Sequence, residues 1–164
     1  MKKYGMDTSK IFYTPMPPNT RIDVDEQGTG VDRRLYRGII GSLLYVATSR
    51  PDIQYSVCVC ARFQVNPKES HLKVVKRILR YLKGSEDLFL FYPRLCPFNL
   101  IGYTNADYAQ CTIDRKSTSG MTQFLGPCLV SWSSKKQHIV ALSTTEAEYV
   151  TTALCCTQLL WLRQ

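Results

Sequence analysis

The 164-residue sequence contains no run approaching the ~18 consecutive apolar residues a membrane helix needs, so no membrane partner is expected. Its opening, MKKYGMDTSK, has a lysine pair with no apolar stretch behind it. No secretory signal is therefore expected, and an intracellular location, cytoplasmic or nuclear, with reduced cysteines follows. Histidine is scarce: His71 and His138 stand far apart. The seven cysteines (Cys58, Cys60, Cys96, Cys111, Cys128, Cys155 and Cys156) never form a C-x-x-C. A structural zinc site needs paired ligands at two- to four-residue spacing, so none is expected, and the cysteines are read as small apolar fillers. With no G-x-S-x-G and only two histidines, a hydrolase triad has no support.

What is present is ordinary for a folded chain: 45% apolar and 21% charged residues, with room for one domain or two small ones. The net charge of +8 is uneven. Residues 1–95 hold 16 Lys and Arg against 9 Asp and Glu, a balance of +7; residues 96–164 hold 5 against 4, or +1. A basic half beside a near-neutral half points to a polyanion partner for the first.

Residues 1–31 contain Pro15, Pro17, Pro18, Gly28 and Gly30 with little periodicity, and read as an extended connector. From Asp32 the pattern turns helical. Leu35, Ile39, Leu43 and Ala47 recur every four residues beside Tyr36, Ile40 and Leu44, and Gly38 and Gly41 would allow close packing on a neighbour. Pro51 suits the first turn of a second helix, about 52–63. A third should run from about 68 to 83 and stop at Gly84. It sets Leu72, Val75, Leu79 and Leu82 on one side and Lys73, Lys76, Arg77, Arg80 and Lys83 on the other. That basic stripe is either a solvated face or a run of phosphate contacts, which give affinity without sequence preference. Residues 88–92, LFLFY, have strand composition, as do 99–104, 119–125 and 128–134. A long helix should close the chain from about 144 to 164, with Ala147, Val150, Leu154 and Leu160 as its apolar face. Trp132 and Trp161 are read as core residues. The fold class is α/β, with three strands and a helix forming a layer.

Five segments carry a family resemblance: YRGIIGSLLYVATSRPDI (36–53), VKRILRYLKG (75–84), DRKSTSG (114–120), VSWSSKKQ (130–137) and LSTTEAEY (142–149). In this order and spacing they resemble the C-terminal part of the polyprotein of copia-type retrotransposons, over essentially the whole chain. The resemblance implies a mainly helical thumb or connection segment of a reverse transcriptase at 32–95. It implies an incomplete ribonuclease H-like domain, three antiparallel strands and one long helix, at 96–164. The Y-x-D-D signature of the polymerase is absent.

In the family, ribonuclease H cuts the RNA of RNA–DNA hybrids with four carboxylates and two Mg2+ ions, which clamp the attacking and leaving oxygens. The resemblance places Asn105 where a Y-x-D-A-D segment carries its first aspartate, and Glu146 at the family glutamate. The two later aspartates would follow Gln164. Asn105 and Glu146 are therefore the implied catalytic positions, with Glu146 and, weakly, Asp107 as metal ligands. With one of four carboxylates left, magnesium binding is expected to be weak or absent and the chain inactive. Read without the resemblance, Ser143-Thr144-Thr145-Glu146 is a capping box, Asp107 and Asp114 are turn-forming or solvated acids, and Glu148 faces solvent. The leading expectation is an inactive polyprotein fragment that binds nucleic acid, hybrid or duplex, without sequence preference, with the rest of the polyprotein as a further partner. The alternatives are a hybrid-cleaving ribonuclease once the missing parts are supplied, and a non-enzymatic interaction module retained by a host.

Overall fold

A computed structural model of the chain describes residues 10–17, 20, 22–95 and 97–164. The element order is α1 (Arg33–Ala47), α2 (Pro51–Ala61), α3 (Glu69–Lys83), β1 (Leu100–Ala106), β2 (Thr118–Leu125), β3 (Cys128–Lys136) and α4 (Thr144–Leu162). The chain divides into two compact units, Met1–Phe89 and Leu90–Gln164.

The first unit is a three-helix core. Tyr36, Ile39, Ile40, Leu43 and Ala47 of α1 meet Ile53, Val57 and Cys60 of α2 and Val75, Ile78, Leu79 and Tyr81 of α3. The helical period of the sequence buries these residues on one side of each helix. Asp32 caps α1, its Oδ1 accepting from the Arg34 N–H at 2.8 Å, and Pro51 opens α2. Tyr36 donates its hydroxyl to the Cys60 carbonyl at 2.9 Å, tying α1 to the end of α2. Burial pushes the Cys60 thiol up to about 12, so it behaves as an apolar filler. Among the described residues no cysteine is in a disulfide; Cys96 lies outside the described residues.

Arg50 grips Asp52 with two hydrogen bonds of 2.9 and 2.7 Å, and also donates to the Ser85 carbonyl and hydroxyl at 2.9 and 2.8 Å. Tyr81 donates to Asp52 at 2.7 Å. The S-R-P-D segment thus fastens the start of α2 to the end of α3. Desolvation works against the Asp52 charge, but the Arg50 and Tyr81 hydrogen bonds outweigh it and hold the carboxyl below its ordinary range.

The connector is more ordered than its composition suggests, where it is described. His71 is buried and stacked on Phe63, with ring centroids 4.2 Å apart. Its Nδ1 accepts from the Lys68 N–H at 3.0 Å and its Nε2 lies 2.8 Å from the Asp23 carbonyl. A carbonyl can only accept, so the ring carries its proton on Nε2. Lys68 Nζ donates to the Gly28 carbonyl at 2.9 Å and Ser70 to Asp25 at 2.5 Å. The loop at 23–30 is in this way pinned to the start of α3.

Two expectations fail here. A Cβ on Gly38 or Gly41 would meet open space, so neither glycine packs on a neighbour. Residues 88–92 form no strand. Their composition suits one, but strands are stabilised by pairing, and among the described residues the sheet consists of β1, β2 and β3.

In the second unit those strands run antiparallel in the order β1-β2-β3. The α4 helix covers one face. A Cβ on Gly102 would lie 2.7 Å from Cys155 Sγ and 2.9 Å from Leu159 Cδ1, so glycine permits that approach. Polar groups fill the seam: Gln137 Nε2 donates to Ser119 Oγ at 3.0 Å and to the Ala147 carbonyl at 2.9 Å. The Ser119 and Thr151 hydroxyls are 2.7 Å apart. Ala147, Thr151 and Cys155 are the buried residues of α4. Leu154, Leu160 and Trp161, expected inside, are exposed. The helix has no charge between Tyr149 and Leu162, so hydropathy cannot choose a face, and the smaller residues win because they allow closer packing.

Candidate functional site

The first candidate site lies where β1 ends. Alternation along β1 puts Gly102, Thr104 and Ala106 on the α4 face and Ile101, Tyr103 and Asn105 on the other. Register sets Asn105 opposite Gly120 and Ala106 opposite Ser119. Asp107 follows directly, and its Oδ1 accepts from the Thr118 N–H at 2.9 Å. From α4, Glu148 Oε1 accepts from the Ala106 N–H at 3.0 Å. Glu148 is thus half-buried against the residue next to Asn105, a correction to its expected solvent position.

Glu146 does something else. Its Oε2 accepts from the Leu142 N–H at 2.7 Å, while its own N–H donates to Ser143 Oγ at 3.1 Å. This is a helix cap in which the carboxylate reaches one residue further back than a capping box does. Both glutamates are half-buried, but two residues are about 200° apart on a helix, so with Glu146 turned to the helix start Glu148 is turned to β1. The signal was available: Glu148, Thr151 and Cys155 are spaced three and four residues apart, one helical stripe.

Asp114 closes the adjoining loop. It pairs with Lys136 at 2.6 Å and accepts from the Lys116 N–H at 3.3 Å. Desolvation raises its pKa, but Lys136, the Cys111 thiol and the Lys116 N–H prevail and bring the carboxyl to about 2. Asp107 and Asp114 are both turn-forming acids in this arrangement.

Magnesium pairs want several converging oxygens. Here one oxygen each of Glu148 and Asp107 is occupied by a backbone N–H, Glu146 caps its helix, and Asn105 projects from the opposite face of the sheet. Among the described residues no three His, Cys, Asp or Glu side chains converge. This donor set does not fit the two-ion site that the resemblance implies.

The second candidate site is the basic side of α3. Lys73 is exposed, and Lys76, Arg77, Arg80 and Lys83 are half-buried, all on the side opposite Val75, Ile78 and Leu79. The five cations lie on one face as expected, but they are not equally open. Arg77 donates to the Thr14 carbonyl at 3.2 Å and to its hydroxyl at 2.8 Å. Its guanidinium sits 4.3 Å from the Phe12 ring centroid, and that of Arg80 sits 5.7 Å away. Sequence reading missed Phe12 and Thr14; the only hint was the apolar triplet Ile11-Phe12-Tyr13 inside a polar stretch.

Comparison with known proteins places the whole chain in one company. It is 40% identical over 162 residues to the retrovirus-related Pol polyprotein from transposon RE1 of Arabidopsis thaliana, covering 99% of this chain and 11% of that protein. It is 36% identical to the Pol polyprotein from transposon TNT 1-94 of Nicotiana tabacum, covering 100% of this chain and 13% of that protein. It is 38% identical to secreted RxLR effector protein 161 of Plasmopara viticola, covering 77% of this chain and 90% of that protein. The chain therefore spans about a tenth of the length of the transposon polyproteins it matches. No family model and no solved structure matches it.

Proposed function

Because the chain belongs to the Pol polyprotein family of copia-type retrotransposons, we propose that it is the stretch where a reverse transcriptase ends and a ribonuclease H-like domain begins. Residues 32–95 would be the thumb or connection segment and 96–164 the start of the nuclease fold. In this reading the chain binds the backbone of duplex or hybrid nucleic acid without cutting it, inside the cell and alongside the rest of its polyprotein. The observation that carries the binding is the single face of α3 holding Lys73, Lys76, Arg77, Arg80 and Lys83. Cations on one face of a rigid helix can track successive phosphates, and each neutralised phosphate releases counterions. The donor set at the end of β1 supports the absence of cutting. It offers an uncharged Asn105 and carboxylates already engaged with the backbone.

The test is the salt dependence of affinity for an RNA–DNA hybrid. Each phosphate contact contributes a log–log slope of roughly −0.9. Changing Lys73 and Lys76 together to Ala should flatten the slope by about 1–2. An unaltered slope would reduce the stripe to a solvated face.

A second reading is favoured by the relative from Plasmopara viticola, 90% of which this chain matches. A protein consisting of little beyond these two segments fits a non-enzymatic interaction module. Such a module would bind hybrid no better than a neutral protein of its size, so the same salt titration separates the two.

A further inference from the structure

We propose that residues 11–14 form a strap that occupies the basic face of α3 in the free protein and is displaced when a nucleic-acid backbone docks there, an inference that rests on the binding reading above. The strap holds two of the five cations. Arg77 is bonded to the Thr14 carbonyl and hydroxyl, and Phe12 lies against both the Arg77 and Arg80 guanidinium groups. Gly84, at the end of α3, lets the strap close: a Cβ there would lie 3.1 Å from Ile11 Cβ.

All these strap groups are neutral: a carbonyl, a hydroxyl and a ring. Arg80 Nε is shielded from solvent and, among the described residues, donates to nothing. An unpartnered buried N–H is costly, and more so on a charged group. A phosphate oxygen would supply both the missing acceptor and the opposite charge, in the short, strong hydrogen bonds guanidinium groups form with phosphate. The strap is therefore a weaker occupant of this face than a phosphate backbone. It is held well enough to lower apparent affinity and loosely enough to be displaced. A site whose competent state is only fractionally populated binds more weakly by that fraction.

The experiment uses the full chain and a short labelled duplex DNA of mixed sequence, with affinity read by fluorescence anisotropy. Phe12→Ala combined with Thr14→Ala should tighten binding roughly three- to tenfold. Gly84→Ala, which crowds Ile11 without touching an arginine, should act in the same direction. In the wild type, amide exchange at residues 11–14 should speed up when duplex is added. Salt-dependent wild-type binding that the double variant leaves equal or weaker, with exchange at 11–14 unchanged or slowed, would overturn the strap and leave the binding reading standing. No binding by either protein would overturn both.

Discussion

Glu146 and Glu148, two residues apart, take opposite roles because a helix turns about 100° per residue. Glu146 closes the helix start through the Leu142 N–H, and Glu148 reaches the Ala106 N–H beside Asn105. Glu148→Ala should cost on the order of 1 kcal/mol in urea unfolding, because it leaves the Ala106 N–H without its acceptor. Glu146→Gln should change stability by less, since an amide oxygen can still accept from the Leu142 N–H. Equal stability loss from the two variants would contradict this assignment. Asn105→Asp should yield no magnesium-dependent cleavage of an RNA–DNA hybrid, because residue 105 projects from the face of β1 away from α4 and Glu148.

Among the elements, the join between α2 and α3 depends most on a few polar atoms. Asp52 accepts from Arg50 and Tyr81, and the same Arg50 reaches Ser85 beyond the end of α3. Hydrogen bonds to a charged group contribute more than neutral ones, but Asp52 is partly exposed and screening discounts the pair. Asp52→Ala should therefore cost on the order of 1–2 kcal/mol in urea unfolding. Because the folded-state pKa of Asp52 is depressed, its contribution is present above the ordinary carboxyl value of 3.8 and fades as pH falls below it. The wild type should lose part of its advantage over Asp52→Ala on acidification through that range. A constant difference between the two proteins from neutral pH to pH ~3 would show that the carboxylate charge contributes little.

At the scale of the whole molecule, charge and fold divide alike. The unit Met1–Phe89 carries the cationic helix, and Leu90–Gln164 carries an antiparallel sheet whose outer strands, β1 and β3, have among the described residues a strand neighbour, β2, on one side. Open edges present rows of unsatisfied backbone groups that template pairing with other chains. In the same unit Tyr149, Leu160 and Trp161 leave the outer side of α4 apolar and exposed. The isolated segment 90–164 should accordingly associate, and its sedimentation should depend on concentration. A monomer that melts in one cooperative step would mean the edges are better protected than their pairing indicates.

Much of this was legible in the sequence, and for identifiable reasons. Helical periodicity placed α1, α2 and α3 within a few residues, because burial of one side is written into the spacing of Ile39, Leu43, Val75 and Leu79. The cations of α3 were assigned to one face by the same arithmetic. The five motifs in register identified the family, since order and spacing survive where single residues change. What pairs with what was decided only in three dimensions. The 88–92 run has the composition of a strand but no partner strand. The uncharged α4 could not announce its inner face, so the seam of Gln137, Ser119 and Thr151 selected it, and with it Glu148. Phe12 and Thr14 are more than sixty positions from Arg77. No local pattern encodes a contact of that separation, because it depends on the packing of the intervening helices rather than on the residues themselves.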